Sequence, residues 1–189
     1  PVEITGSPFR FVQRRPTLGH TYRERHEAMI SVIDSVEVTT RNLPDLPDSR
    51  GNSIKKLFLT DHSINIDTVR IALRYDIKSN LNNLQIKRAV SDLFSDPIIE
   101  YGVSNSQVLK SNSVFPVKPN LVIHVGFKPG VTDNAAQAAL DGLITLYPDI
   151  SQSSQIFTSK VYMFWGIPAD ITPEEIAIKL HNPMIERAL

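Results

Sequence analysis

The residues best placed to do chemistry lie between Phe127 and Leu140, where Lys128, Pro129 and Gly130 precede Thr132, Asp133 and Asn134. A glycine turn opening a helix is the general form of an anion site, because the first N–H groups of a helix lack intrahelical partners. A nucleotide loop requires more. The Walker pattern carries Lys and Ser/Thr directly after its second glycine, and a dinucleotide fingerprint spaces three glycines. This stretch has a single glycine, and its lysine comes before it. It therefore reads as a structural turn. Pro129 presets φ at the first central position and Gly130 tolerates positive φ at the second, which specifies a type II turn. Thr132, Asp133 or Asn134 can cap the helix that follows, and with Asn134 as the cap Gln137 would complete a capping box.

Other reactive residue types are scattered. His20 and His26 are too far apart for a one-turn helical pair, and no acidic cluster of metal-site form accompanies them. His124 falls on the side of its strand opposite Ile123 and Val125, as a partly buried, hydrogen-bonded histidine would. Ser106, Ser111 and Ser113 occupy a polar stretch without a nucleophile elbow. Glu174 and Glu175 are accounted for by capping and by the dipole of a helix start. Phe9, Arg10, Phe11, Arg14 and Arg15 interleave rings and cations, as an RNA or partner surface would. No stacking motif or wider basic patch supports nucleic acid, so they read as an arm over the chain's own domain or a neighbouring subunit. No set of residues meets a catalytic checklist, and no cofactor or metal is expected on this chain.

Composition narrows the class. Twenty Lys and Arg balance twenty Asp and Glu, so no global field favours nucleic acid or an anionic membrane. Of the 189 residues 41% are hydrophobic and 21% charged, as in soluble globular chains. No apolar run reaches the roughly 18 residues of a membrane-spanning helix. There is no cysteine, which removes disulfides, thiolate metal sites and a cysteine nucleophile from this chain. That suits a reducing compartment, cytoplasm or organelle matrix. The sequence starts at Pro1 and so reads as a fragment or a processed product; its first residues lack the apolar centre of a secretory signal.

The elements that must position these residues follow from periodicity. Residues 1–34 read as an extended arm followed by a short helix from Tyr22 to Ile33. Val36 to Arg41 alternates and is β-branched, as a half-buried strand does. Asp48 or Ser49 caps a helix through Leu59, with Ile54, Leu57 and Phe58 on one face. In Thr68–Lys78 the residues Val69, Ile71, Leu73, Tyr75 and Ile77 point one way, and Thr68, Arg70, Arg74 and Asp76 the other, so one face should pack and one should meet water. A helix with Ile86, Val90 and Leu93 follows and stops near Pro97. Residues 104–120, rich in Ser, Asn, Pro and Lys, read as a connector. The order then recurs: a strand over Leu121–Phe127, the glycine turn, a helix ending at Tyr147-Pro148, and a strand from Phe157 to Trp165. Last comes a helix with Thr172 as cap, Pro173 first, Glu175 third, and Ile171 and Ile176 as a staple.

The two halves superpose at an offset of about 85 residues. Pro44 falls on Pro129 and Asp48 on Asp133. Asp96-Pro-Ile-Ile-Glu100 falls on Asn182-Pro-Met-Ile-Glu186, and Tyr75 and Tyr162 fall close to register between them. A first half over residues 35–103 and a second over 121–189 are thus expected. They form an α+β fold, two repeated β-α-β-α halves packed as a pseudo-twofold two-layer sandwich.

Lys128 to Asn134 after an apolar strand, Phe157 to Lys160 opening the next, and the two Pro-x-Ile-Glu endings resemble the small subunit of phosphoribosylformylglycinamidine synthase, a purine-biosynthetic enzyme. The duplicated form resembles the N-terminal region of its large, fused versions, over roughly residues 35–189. Asp45 stands where the first turn would carry glycine, and residues 1–34 have no recognised counterpart. The resemblance implies a dimerising, non-catalytic module. It would bridge the glutaminase to the ATP-dependent synthetase and help ammonia pass between them. Its partners would then be those two parts; the alternative is a structural subunit of another large assembly.

Overall fold

The computed structural model describes residues 33–41, 48–111 and 114–188. In chain order these form β1 (Ile33–Thr40), α1 (Ser49–His62), β2 (Thr68–Lys78), α2 (Asn83–Ala89), β3 (Glu100–Ser104), β4 (Leu121–Phe127), α3 (Asn134–Leu146), β5 (Gln155–Trp165), α4 (Pro173–Leu180) and β6 (Glu186–Ala188). A π-helical turn, Val90–Phe94, prolongs α2, and a 3₁₀ turn occupies Val108–Lys110. The fold is α+β. Its six strands form one antiparallel sheet in the order β3-β1-β2-β5-β4-β6. The central pair, β2 and β5, is in register along its whole length, from Thr68 opposite Trp165 to Lys78 opposite Gln155.

The alternation in β2 sorts the cores. Its odd-numbered residues face the helices, and two separate apolar clusters form there. At one end Val36, Val38, Ile77 and Ile156 pack against Ile86 and Phe94 of the α2 segment and Ala136 and Leu143 of α3. At the other end Val69, Ile71, Ile123, Val125, Tyr162 and Phe164 pack against Phe58 of α1 and Ile176 of α4. Leu73, midway along β2, belongs to neither cluster and is half-buried. A cleft lies beside it.

The far face differs from the sequence expectation. Rather than meeting water throughout, it carries a third cluster in which Ala72, Val161 and Met163 are covered by Val108, Val114 and Phe115. These covering residues come from the stretch read as a polar connector. Their isolated apolar side chains carry no periodicity, so only tertiary contact reveals the strap they form. The polar residues of β2 are absorbed by the fold as well. Arg74 bridges Glu37 and Asp76, each at 2.8 Å. Arg70 lies 3.0 Å from Asp48, donates to the Thr40 carbonyl and stands 5.9 Å from the centre of the Phe115 ring.

Two further differences concern element ends. Two short strands, β3 and β6, are added to the strand-helix-strand-helix orders read from sequence. Strands of five and three residues are too short to show an alternating pattern. Ile33 and Asp34, assigned above to the arm segment, begin β1. Residues 1–32, which include the arm residues Phe9, Arg10, Phe11, Arg14 and Arg15, both N-terminal histidines and the short helix, lie outside the described residues, as does the first-half turn at 42–47.

Candidate interaction site

The turn singled out by sequence has the geometry its residues specify. Gly130 has φ of 87°, and the N–H of Val131 donates to the carbonyl of Lys128 across 3.2 Å, closing a type II turn with Pro129 first. A Cβ built on Gly130 meets nothing within 4 Å, so the glycine answers to backbone conformation rather than crowding. Gly130→Ala should therefore cost about 1 kcal/mol and leave the fold intact, read as a drop of a few degrees in Tm.

Asp133 is the cap, which decides among the three candidates. One carboxylate oxygen accepts from the Ala136 N–H at 2.9 Å; the other accepts from the Thr158 N–H at 2.9 Å and lies 2.8 Å from the Thr158 hydroxyl. Gln137 makes no capping box and instead donates to Asp141 at 2.9 Å. Lys128 ties the turn to the ending near Glu186: its N–H donates to the Ile185 carbonyl at 2.9 Å, and its ammonium donates to the Pro183 carbonyl. The three short motifs that looked separate in sequence are therefore bonded to one another around the start of α3. Asp133→Ala should cost about 2 kcal/mol, the upper range for a cap, because it also strands Thr158. Asp133→Asn should keep most of this, since an amide oxygen still caps. Equal melting temperatures for Asp133→Ala and the parent would contradict this role.

Asp48, which the sequence offset lays on Asp133, is also a helix cap. It caps α1 by accepting from the Gly51 N–H at 3.1 Å. Arg41 follows β1 as Lys128 follows β4, and its N–H donates to Ile99 at 2.8 Å as that of Lys128 does to Ile185. The endings coincide bond for bond. Glu100 N–H donates to the Asp96 carbonyl at 2.8 Å, Asp96 N–H to the Glu100 carboxylate at 3.0 Å, and Ile98 N–H to the Asp96 side chain at 2.8 Å. Glu186, Asn182 and Met184 repeat these bonds at 2.8, 2.8 and 3.0 Å. Both loops thrust an apolar tip into solvent, Ile98 at 75% exposure and Met184 at 81%.

Between the two helix pairs lies the cleft, of about 150 Å³, lined by Leu73, Tyr75, Phe127, Thr158, Lys160 and Glu186 among others. Drug-sized ligands occupy cavities of roughly 300 Å³ and more, so this one is smaller than such ligands require. Burial raises the phenol pKa of Tyr75, and the nearby Glu100 carboxylate raises it further. Burial, with a contribution from Glu186, pushes that of Tyr162 up to about 12. Both tyrosines are thus neutral phenols at neutral pH rather than bases. The sign of the linkage follows: Tyr162 titrates higher folded than unfolded, so its contribution to stability is complete below pH ~10. That contribution is lost as pH rises to about 12. A phenolate absorbance titration should show one tyrosine ionising near the value for Tyr162, and a Tyr162→Phe variant should lack that step.

His124 is half-buried on the far face of β4. Thr172 and Glu175 form the capping box read from sequence, with Pro173 first in α4. Among the described residues no group of His, Asp or Glu could hold a metal ion, and no helix is long and apolar enough to cross a membrane. Sequence reasoning gave no role to Glu37 and Arg50 and set Arg70 on a water-facing side; their partners Arg74, Glu100 and Asp48 come from other elements. The only available signal was an acid at Glu37 inside a β-branched strand. No protein-family model and no curated protein matches the chain.

Proposed function

We propose that the chain is a non-catalytic, internally duplicated module resembling the small subunit of phosphoribosylformylglycinamidine synthase. On this reading it assembles with the synthetase and glutaminase parts. The observation that carries it is the pair of Pro-x-Ile-Glu loops, each closed by the same three hydrogen bonds and each tied to the first strand of its own half. The strand order runs third, first and second of one half, then second, first and third of the other, as a twofold duplication about the β2–β5 pair would give. In this reading Asp48 and Asp133 are equivalent caps, and the cleft at Leu73 and Lys160 lies on the pseudo-axis. Two halves joined edge to edge in this way present two like sets of loop tips, which suits a part that holds two partners together.

Mixing the protein with purified synthetase and glutaminase and measuring glutamine-dependent ligation tests the reading. Association with a rise in glutamine-dependent rate is expected; no association and no change in rate would remove it. The second reading, a structural subunit of another large assembly, is favoured by Ile98 and Met184, whose exposed tips suit burial against any partner.

A further inference from the structure

A groove of about 520 Å³ runs along β3. It is walled by Lys87, Ser91 and Ser95 of the α2 segment, and Arg41 lies at one end. The strand ends the sheet, bonded only to β1. Its parity shows which main-chain groups face outward. Arg41 donates to Ile99 and Asn105 donates to Ser35, so the pairs sharing hydrogen bonds with β1 are those of the odd-numbered residues 99, 101, 103 and 105. The N–H and carbonyl groups of Gly102 and Ser104 therefore point away from the sheet. No proline or lysine lies within β3 to block that edge.

The charges along the groove are unequal. Glu100 is committed, with one oxygen on Arg50 at 2.7 Å and the other on the Asp96 N–H at 3.0 Å. Asp92, on the neighbouring turn, is held by Arg88 at 2.9 Å. Lys87 has no ion pair among the described residues, and the Nε of Arg41 is buried without a hydrogen-bond partner among them. The free charge facing the groove is thus cationic.

We infer that β3 receives an extended, acidic segment of a protein partner by strand addition. The main chain of that segment bonds to Gly102 and Ser104, and its carboxylates meet Lys87 and Arg41. The other edge strand, β6, has three residues and offers a shorter ladder than β3. This inference rests on the reading of the chain as an assembly module. A peptide titration reads the edge alone, so its failure would leave the synthetase and glutaminase test standing.

The probe is a fluorescently labelled, end-blocked peptide of alternating Val and Glu, compared with its Val/Lys counterpart by anisotropy at low salt. The acidic peptide should bind saturably and at least about tenfold more tightly than the basic one, and the Gly102 and Ser104 amides should gain protection from hydrogen exchange. Ser104→Pro removes an outward N–H without touching the β1 ladder and should weaken binding about tenfold. Lys87→Glu, on the exposed helix surface, should abolish the preference for the acidic peptide, and it tests the inference even where Ser104→Pro fails to fold. No saturable binding, equal binding of both peptides, or unchanged binding and charge preference in the two variants would overturn it.

Discussion

Replacing Glu37 by alanine should lower Tm by about 10 °C and loosen the strap on the far face before the sheet unfolds. Glu37 is buried at 1% exposure, with one carboxylate oxygen on Arg74 at 2.8 Å and the other accepting from the Val108 N–H at 2.9 Å. It joins β1 and β2 to the turn at Val108–Lys110, the only regular structure of the connector among the described residues. Truncation leaves a buried N–H without an acceptor and an arginine without one of its two carboxylates. Removing one member of a buried pair costs about 3–5 kcal/mol. Arg74 keeps Asp76, so the lower end of that range, about 3 kcal/mol, applies. For a domain of this size that corresponds to roughly 2–4 °C per kcal/mol. Trp165, the only tryptophan in the sequence, reports on the strap directly, because it stacks on Phe115 at 5.7 Å and donates to the Val117 carbonyl at 3.0 Å. Its emission should shift to the red in Glu37→Ala below the main transition. Glu37→Gln, which keeps one acceptor, should fall between. A melting curve and a tryptophan spectrum matching the parent would rule out this role.

Gly51→Ala should destabilise by about 3 kcal/mol, although alanine is normally the better helix former by about 1 kcal/mol. Gly51 is buried in the first turn of α1, and a Cβ there would lie 2.0 Å from the carbonyl oxygen of Val69 and 2.8 Å from the Asp48 carboxylate. The nearer obstacle is backbone in β2, one of the two central strands, so no rotamer change relieves it. Helix α1 must lift from β2, and that loosens Phe58, which is fully buried and meets Phe164 edge-on at 6.1 Å. The cap at Asp48 would be displaced with it. Urea unfolding should show the loss in midpoint; a midpoint equal to or above that of the parent would refute the close-packing argument. The contrast with Gly130 is instructive, because that glycine has open space and an unusual φ, whereas Gly51 has an ordinary helical backbone and no space.

The difference between these two glycines marks how far sequence alone reaches. Pro129-Gly130 and Thr172-Pro173 announce their local structures because turn and cap geometry depend on residues adjacent in the chain. For the same reason the strand over Thr68–Lys78 and the helix starting after Asp133 were legible from alternation and capping. Gly51 gives no such sign, since its constraint is a carbonyl on another element. The partners of Glu37 and Arg70 lie 37 and 22 residues away in sequence, a distance at which charge pattern carries no pairing information.

The turn at Lys128 followed the same division. Sequence determined its shape, its glycine and the helix that follows, because each depends on φ, ψ and hydrogen bonds within a few residues. Tertiary structure decided that Asp133 is the cap, that Lys128 closes on Pro183 and Ile185, and that Thr158 completes the junction. It also decided that the polar connector covers part of the far face and that β3 ends the sheet beside a groove lined by Lys87 and Arg41. These are contacts between segments far apart in the chain. They depend on how the packed elements are arranged, which no local propensity encodes.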